Sequence, residues 1–591
     1  MASELLLPTA RALDANGNPY NGAKWYFYAT GTSTPQNVYS DSTLLTSLGS
    51  MVTADSGGKF VPIYFDASLV YRGVLKDSTG AVTLHDIDPI NAGVMSALAA
   101  SGGSALIGFL QSGAGSTART VQAKLRDTVS VKDFGAVGDG STDDTTAIQA
   151  AVNAAAGAEL YFPAGHYKIT SSITINNSLS ILGVRNQSVI MLATQNMDGF
   201  IIGDGTDPTR NATGATSISC IDFNPWLGVA TSASGSCIKM NYVYNIRVFW
   251  CTFYGKDSGG TVRLFNGITG DRGTECRVIN SSFYYLGGRG YTGVGTGVAA
   301  NRNIDWRFNA CDFIGLTGDC LNFGAYSEGC MINEAIAYGY AGNFMVINTT
   351  LFNFFINQPN VEVGASAGGI YVQQGSAVQV VGGWFGGGTT VLLGDINSSD
   401  IKVSGTRFDQ SKIEFRGPAC ALVGCEVTGA SSGTGILVGA LATDFVASGN
   451  RIRQWANGIS FSGSAARAVI TGNNFRNNTS DVSGAVWTPA TADPAIVKDN
   501  VTDAGYSLVA ASSVTMQTTK LDVQITGATA INSITVPPYA HEVTVQAGAG
   551  GITINNGTIL CKGGVNASVP AFRMIKFWSD GGTLIEIARG F

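Results

Sequence analysis

The chain has 591 residues; only 13% are charged, against roughly 25% in ordinary soluble proteins, and 77 are Gly. A hydrophobic content of 45% argues against disorder, 15 Pro without a G-X-Y period exclude collagen, and 35 basic against 41 acidic residues (net charge −6) disfavour nucleic acid as a partner. What remains is a multidomain, β-rich chain that uses Gly for tight turns and covers its surface with Asn, Ser and Thr.

The N-terminus, MASELLLPTARALD, has neither a basic segment nor a long apolar run, so no signal peptide is expected. Residues 1–90 read as a small β domain: KWYFYATG, KFVPIYF and LVYRGVL are strand-like, and DANGNPYNG, DSGG and DSTG are turns. Residues 91–130 read as a linker and neck. Within them, Gly and Ser interrupt the nearly charge-free stretch too often for a membrane span, so no membrane insertion is expected, and RTVQAKLRD (119–127) reads as a short helix. In VKDFGAVGDGSTDDTTAIQAAVNAA, Ser141 or Thr142 caps a helix with Asp143 and Asp144 in its first turn, and Ile148, Ala151, Val152 and Ala155 share one face.

From about 217 to 480 a phrase repeats: alternating apolar residues, a small or Asn position, one variable residue and an apolar anchor. NIRVFWCTF, ECRVINSSF, NIDWRFNACDF, DIKVSGTRF, DFVASGNRI and RAVITGNNF are examples, and the anchors are Phe253, Phe283, Phe313, Phe385, Phe408, Val427, Ile452 and Phe475. Strand, turn, strand, turn at this spacing is an all-β solenoid, a parallel β-helix, over residues 131–500. The coils ending at Phe283 and Phe313 are 30 residues long, which places insertions, and so a groove, around residues 250–385. Residues 501–591 lose the phrase and read as a C-terminal β domain, with VTVQAGAGGITI and MIKFWSDGGTLIEIARGF as antiparallel hairpins. The ten Cys, with no CxxC pair and mostly apolar neighbours, read as buried thiols.

VKDFGAVGDGSTDDTTAIQAAV resembles the opening motif of the pectate-lyase-like β-helix superfamily. RTVQAKLRDTVSVKDFGAVGDG behind a short β domain resembles bacteriophage tailspikes more narrowly, and ALDANGNPYNGAKWYFYATGT is similar to their particle-binding head. The resemblance runs from about residue 1 to 500. It implies a right-handed parallel β-helix, a homotrimer stabilised by its C-terminal domain, and a location on the virion, made in the host cytoplasm and attached to the phage tail or baseplate through the N-terminal domain. It also implies a bacterial surface polysaccharide, O-antigen or capsule, as the partner that is bound and endo-cleaved. GDCLNFG (318–324) is similar to the DDCIAIN phrase of polygalacturonases, with Asp319 on its second Asp, but Gly318 replaces the first and the body has no matching His.

The only histidines, His85, His166 and His541, lie in different regions, so neither a His-dependent triad nor a His-rich metal site fits the middle of the chain. No metal or cofactor is expected. Carboxylates, Tyr, Lys and Arg remain. Aligning Phe253, Phe283 and Phe313 puts Val248, Val278 and Phe308 in an inward column, Asn245, Glu275 and Asp305 in an outward one, and Arg247, Arg277 and Arg307 in the next. A coil spacing of ~4.8 Å brings Glu275 and Asp305 to about 5 Å, near the separation of retaining glycosidase carboxylates. The catalytic candidates are Glu275, Asp305, Asp312, Asp319 and Glu334, with Glu328 in the same zone. Arg277, Arg307, Tyr284, Tyr285 and Tyr326 are candidates for holding substrate, and Tyr291 for stacking on a sugar. Carboxylate and Arg columns also arise as surface ion-pair ladders, and tyrosines as subunit contacts; Trp306 reads as core. An endo-acting hydrolase is the leading expectation. A lyase acting on a uronate-containing glycan through Tyr, Lys or Arg, and a non-catalytic glycan-binding adhesin, are the alternatives.

Overall fold

A computed structural model of the chain describes residues 2–4, 11–90, 98, 100–203, 205, 216–294, 302–364, 367–387, 390–462 and 467–484, and from 496 onward mainly the strands. The chain divides into two compact units, residues 1–127 and 128–591.

In the first unit, Lys24–Ala29 lies inside a four-stranded antiparallel sheet with Met51–Thr53, Tyr71–Lys76 and Thr83–Ile90. Phe27, Phe65, Tyr71 and Val38 form its core. Asp14, Asp55 and Asp77 each accept amides of their own turn, which is how the DANG, DSGG and DSTG stretches reverse the chain. Of KFVPIYF only the end is a strand, Tyr64–Asp66, because Pro62 has no amide to pair. The expected short helix forms over Val121–Leu125, capped by Thr120, whose hydroxyl accepts from the Ala123 amide at 3.0 Å.

The second unit opens differently from expectation. Asp139–Asp143 pairs as a strand with Gly165–Ile169, so the helix starts later, at Thr145–Ala154, and Ser141 and Thr142 instead donate their amides to Asp139. Asp144 precedes the helix and is 1% exposed; its carboxylate accepts from the Val137 and Gly138 amides at 2.6 and 3.0 Å. It pins the GAVGDG loop to the helix start.

Beyond it most coils lay one strand on each of three parallel sheets, while Asn343–Asn357 and Gly368–Val381 each run through the first two and join them. One coil runs Ser236–Asn241, Arg247–Phe249 and Thr252–Tyr254; the next runs Asn266–Asp271, Arg277–Ile279 and Ser282–Tyr284. The three sheets are the first, second and third faces of the solenoid. The anchors stack inside the third face: Phe253 on Phe283 and Phe283 on Phe313, with ring centroids 4.6 and 4.9 Å apart and planes within 10°. Phe223 extends this stack upstream, 5.4 Å from Phe253. Between Phe313 and Phe385 the anchor places are taken by Ala337 and Val361, in register though small. Val248, Val278 and Phe308 form the inward column of the second face, and Trp306 is fully buried with its indole N–H donating to the Gly273 carbonyl.

The corner between the second and third faces falls one residue before the "small or Asn" position of the phrase. One residue per coil turns there in the left-handed conformation: Trp250, Asn280, Ala310, Glu334 and Gln358, then Gly382, Gly405, Gly424, Gly449 and Gly472. Its amide donates to the next coil, as from Ala310 to the Asn333 carbonyl at 2.9 Å. A side chain in this conformation is strained. Ala310→Gly is therefore expected to stabilise the protein by roughly 1 kcal/mol, read as a higher denaturant midpoint.

No disulfide joins the ten cysteines, and all but Cys220 are buried. Burial pushes the thiols of Cys251 and Cys311 up to about 12 and those of Cys420 and Cys425 up to about 11. Iodoacetamide at mildly alkaline pH should accordingly modify at most Cys220 in the native protein and every cysteine in denaturant, as counted by mass spectrometry.

Parallel stacking does not stop at residue 500. Val482 pairs with Tyr506, and Tyr506–Val509, Lys520–Thr526 and Glu542–Ala547 follow in parallel. Met574–Ser579 and Leu584–Arg589 form the expected antiparallel hairpin. VTVQAGAGGITI does not: Glu542–Ala547 pairs with Met574–Ser579, and Ile552–Ile554 with Ala567–Val569.

Candidate functional site

Strand alternation sets the outer surface of the third face. With the anchors inward, the residues just before them form one outward column, Asp222, Thr252, Ser282 and Asp312, continuing into Ile336 and Asn360. The residues just after them form a second: Tyr254, Tyr284, Ile314 and Tyr338. Across the upstream coils these columns border a cleft of about 540 Å³, lined by Arg185, Asn186, Asp222, Asn224, Trp250, Thr252, Tyr254, Asn280, Ser282 and Tyr284.

Asp222 is 9% exposed, and its Oδ1 is buried with no hydrogen-bond partner. Burial raises its pKa above the usual carboxylate range; the Thr252 hydroxyl and amide and the Arg185 charge only partly offset this. Asp312, at the other end of the column, accepts from the Ser282 hydroxyl at 3.1 Å. The Cα atoms of the two aspartates are three coil steps apart, ~14 Å. Each carboxyl neighbours the hydroxyl on its inner side, Thr252 for Asp222 and Ser282 for Asp312, which brings the acids to about two steps, ~10 Å. Beside them Trp250 is 46% exposed, and the Tyr254 and Tyr284 rings meet edge to face at 6.4 Å. Tyr285 turns in the left-handed conformation after its strand, its ring 5.7 Å from that of Tyr254 and 4.0 Å below the Lys256 ammonium.

The other sequence candidates lie elsewhere. Glu275 and Asp305 do form one column with Asn245, but as left-handed residues at the corner of the first and second faces rather than on a strand. Arg277 and Arg307 stack in register on the second face, so these four residues make a separate charged patch outside the cleft. Asp319 is buried and accepts from Arg289 Nε at 3.0 Å, Asn322 Nδ2 at 3.0 Å, and the Asn343 amide and Nδ2 at 2.9 and 3.2 Å; it ties neighbouring coils together. Glu328 holds Arg302 with both oxygens. Glu334 is an exposed left-handed corner residue beside the third face, one coil beyond Ala310. Tyr326 is half-buried and left-handed, just beyond the first-face strand Leu321–Phe323. Tyr291 does not reach a sugar: it is fully buried, packed against Trp306 at 4.7 Å and Phe308 at 5.0 Å.

Sequence reading missed Asp222, Trp250, Tyr254 and Arg185. The signal for Asp222 was present, because IDF (221–223) repeats the CDF of 311–313.

Residues 128–303, which lie within the parallel β-helix, match the family described as rhamnogalacturonase A/epimerase, pectate lyase-like. A mannuronan C5-epimerase of Azotobacter vinelandii is 39% identical over 95 residues, 14% of this chain and 5% of that protein. The tail spike protein of Shigella phage Sf6 is 28% identical over 197 residues, 31% of this chain and 30% of that protein. The chain thus covers less than a third of the length of these curated relatives. Among solved structures, the tailspike protein of E. coli bacteriophage HK620 in complex with a pentasaccharide aligns at 15% identity and a TM-score of 0.44, over 82% of this chain and 90% of that one.

Proposed function

We propose that the protein is a bacteriophage tailspike, a homotrimer on the phage tail that binds a bacterial surface polysaccharide and cleaves it within the chain by acid–base hydrolysis. The observation that carries this reading is the third face, where the buried carboxyl of Asp222 in the cleft and that of Asp312, one coil beyond the cleft's lining, flank two hydroxyls beside an aromatic wall. The small antiparallel N-terminal unit suits attachment to the virion.

Hydrolysis of a glycosidic bond needs one carboxyl that keeps its proton for the leaving oxygen and one that is ionised to activate water. The raised pKa of Asp222 suits it to be the acid, and Asp312 is the base. Their separation of ~10 Å lies just beyond the ~6.5–9.5 Å of inverting enzymes and far from the ~5 Å of retaining ones, so products should carry the inverted anomer. Trp250, Tyr254 and Tyr284 offer faces to the C–H surfaces of sugars, and Arg185 a charge to a hydroxyl or carboxylate.

Purified protein is tested against a panel of O-antigens and capsules, with products read by mass spectrometry and their anomeric form by NMR. Cleavage should fall as pH rises through the elevated pKa of Asp222, because the acid must hold its proton. Asp312→Asn should slow cleavage by ~10²–10⁴-fold, as loss of a general base does. Unaltered cleavage in both the Asp222 and Asp312 variants would move the chemistry to Glu275 and Asp305. Unsaturated products would make the enzyme a lyase.

A further inference from the structure

The third face does not end at the cleft. The column that holds Ser282 continues through Asp312, Ile336 and Asn360 to Trp384, four coils on. Two apolar side chains on the way are open to solvent: Ile336 is 41% and Tyr338 45% exposed. Trp384 then lies across the sheet over Gly386, where a Cβ would come within 2.0 Å of its Cζ2 atom. Only Gly leaves room for the ring. The indole N–H donates to Asp409 Oδ2 at 3.1 Å, and Asp409 is in turn paired with Arg407 Nη2 at 2.8 Å. One flat side of the indole therefore rests on the sheet and its plane is fixed from the next coil. Asn360 and Glu362 on the preceding coil and Arg407 on the following one are exposed around it. A restrained aromatic face rimmed by amide, carboxylate and guanidinium is what a pyranose ring needs: C–H groups for the indole and hydroxyls for the rim.

We propose that Trp384 is a distal sugar-binding platform, so that the third face holds a polysaccharide segment running from Asp222 to Trp384, six coil steps or ~29 Å. This rests on the reading of the cleft as a polysaccharide site and extends it. The chain bound at the cleft continues along Tyr284, Ile314 and Tyr338 and stacks on the indole.

The test uses the full-length protein and the polysaccharide it selects from the same panel of purified O-antigens and capsules, cut to fragments of graded length and titrated by calorimetry. Affinity should climb with length until a fragment spans ~29 Å. In Trp384→Ala the climb should stop short of that length, with about a tenfold loss on the longest fragments. Gly386→Val should give the same loss with the indole still present, because its side chain forces the ring off the sheet, and both variants should sediment as the wild type does. Wild-type affinity that stops rising at the length of the cleft, or long-fragment affinity undiminished in both variants, overturns the platform alone. Altered sedimentation overturns it in favour of a contact between copies of the chain. A wild-type protein that selects no polysaccharide overturns the reading of the cleft, and the platform with it.

Discussion

Replacing Asp222 by Asn is expected to slow polysaccharide cleavage by ~10²–10⁴-fold while leaving binding nearly intact, the range that a lost general acid typically costs. Reducing-end release measures the first effect and fragment titration the second. Stability should move the other way. The folded protein raises the Asp222 pKa above its ordinary 3.8, so it favours the neutral acid. Above that raised pKa the unfolded chain ionises freely while the folded one must hold a charge in a buried place. Asp222 therefore lowers stability as pH rises from about 3.8 through its folded pKa. Asn carries no such penalty, so the variant should be more stable than the parent near neutral pH and should lose that advantage in acid. A variant that loses both activity and stability would show that Asp222 holds the coil together rather than performing chemistry.

Phe283→Ala should cost about 3–5 kcal/mol, the usual result of emptying a buried aromatic site. Phe283 is fully buried between Phe253 and Phe313, so its removal leaves a gap that Phe253 can fill only by unstacking from Phe223, and strips Phe313 of its ring partner. Denaturant unfolding measures the loss. Because each coil contacts chiefly its neighbours, the defect should concentrate there, and hydrogen exchange should accelerate in the coils around residues 253–313 more than around 427–475. A loss under 1 kcal/mol would mean that the solenoid closes around missing rings.

The solenoid was legible because its anchors are large and recur: eight of them mark coils that the structure stacks in register. Two coils escaped notice because Ala337 is too small to stand out and Pro359 takes the small-or-Asn place before Val361, although neighbouring backbones hold both in the same register. The candidate site was legible only in part. The 30-residue coils pointed to residues 250–385, which overlap the cleft only on one side, since Arg185, Asn186, Asp222 and Asn224 lie before them and before the first coil that was aligned. Glu275 and Asp305 were placed in the right column and on the wrong kind of backbone, since Glu and Asp in a left-handed corner leave no reliable mark in sequence. That Asp319 is fully engaged was beyond reach for another reason: Arg289 lies 30 residues before it and Asn343 24 after, and only coil stacking makes them neighbours.

The corner between the second and third faces has a consequence for how the protein can diversify. Its backbone is held by the amide ladder from coil to coil, whatever side chain sits there. Along the cleft and just past it that side chain is Trp250, Asn280, Ala310, Glu334 or Gln358, and farther on it is Gly. Each position is thus an independent socket on the rim, repeated every ~4.8 Å, where exchanging a residue alters the surface offered to a ligand at a cost of only about 1–2 kcal/mol in backbone strain. Recognition can be rewritten one coil at a time, with the fold as an unchanging rack.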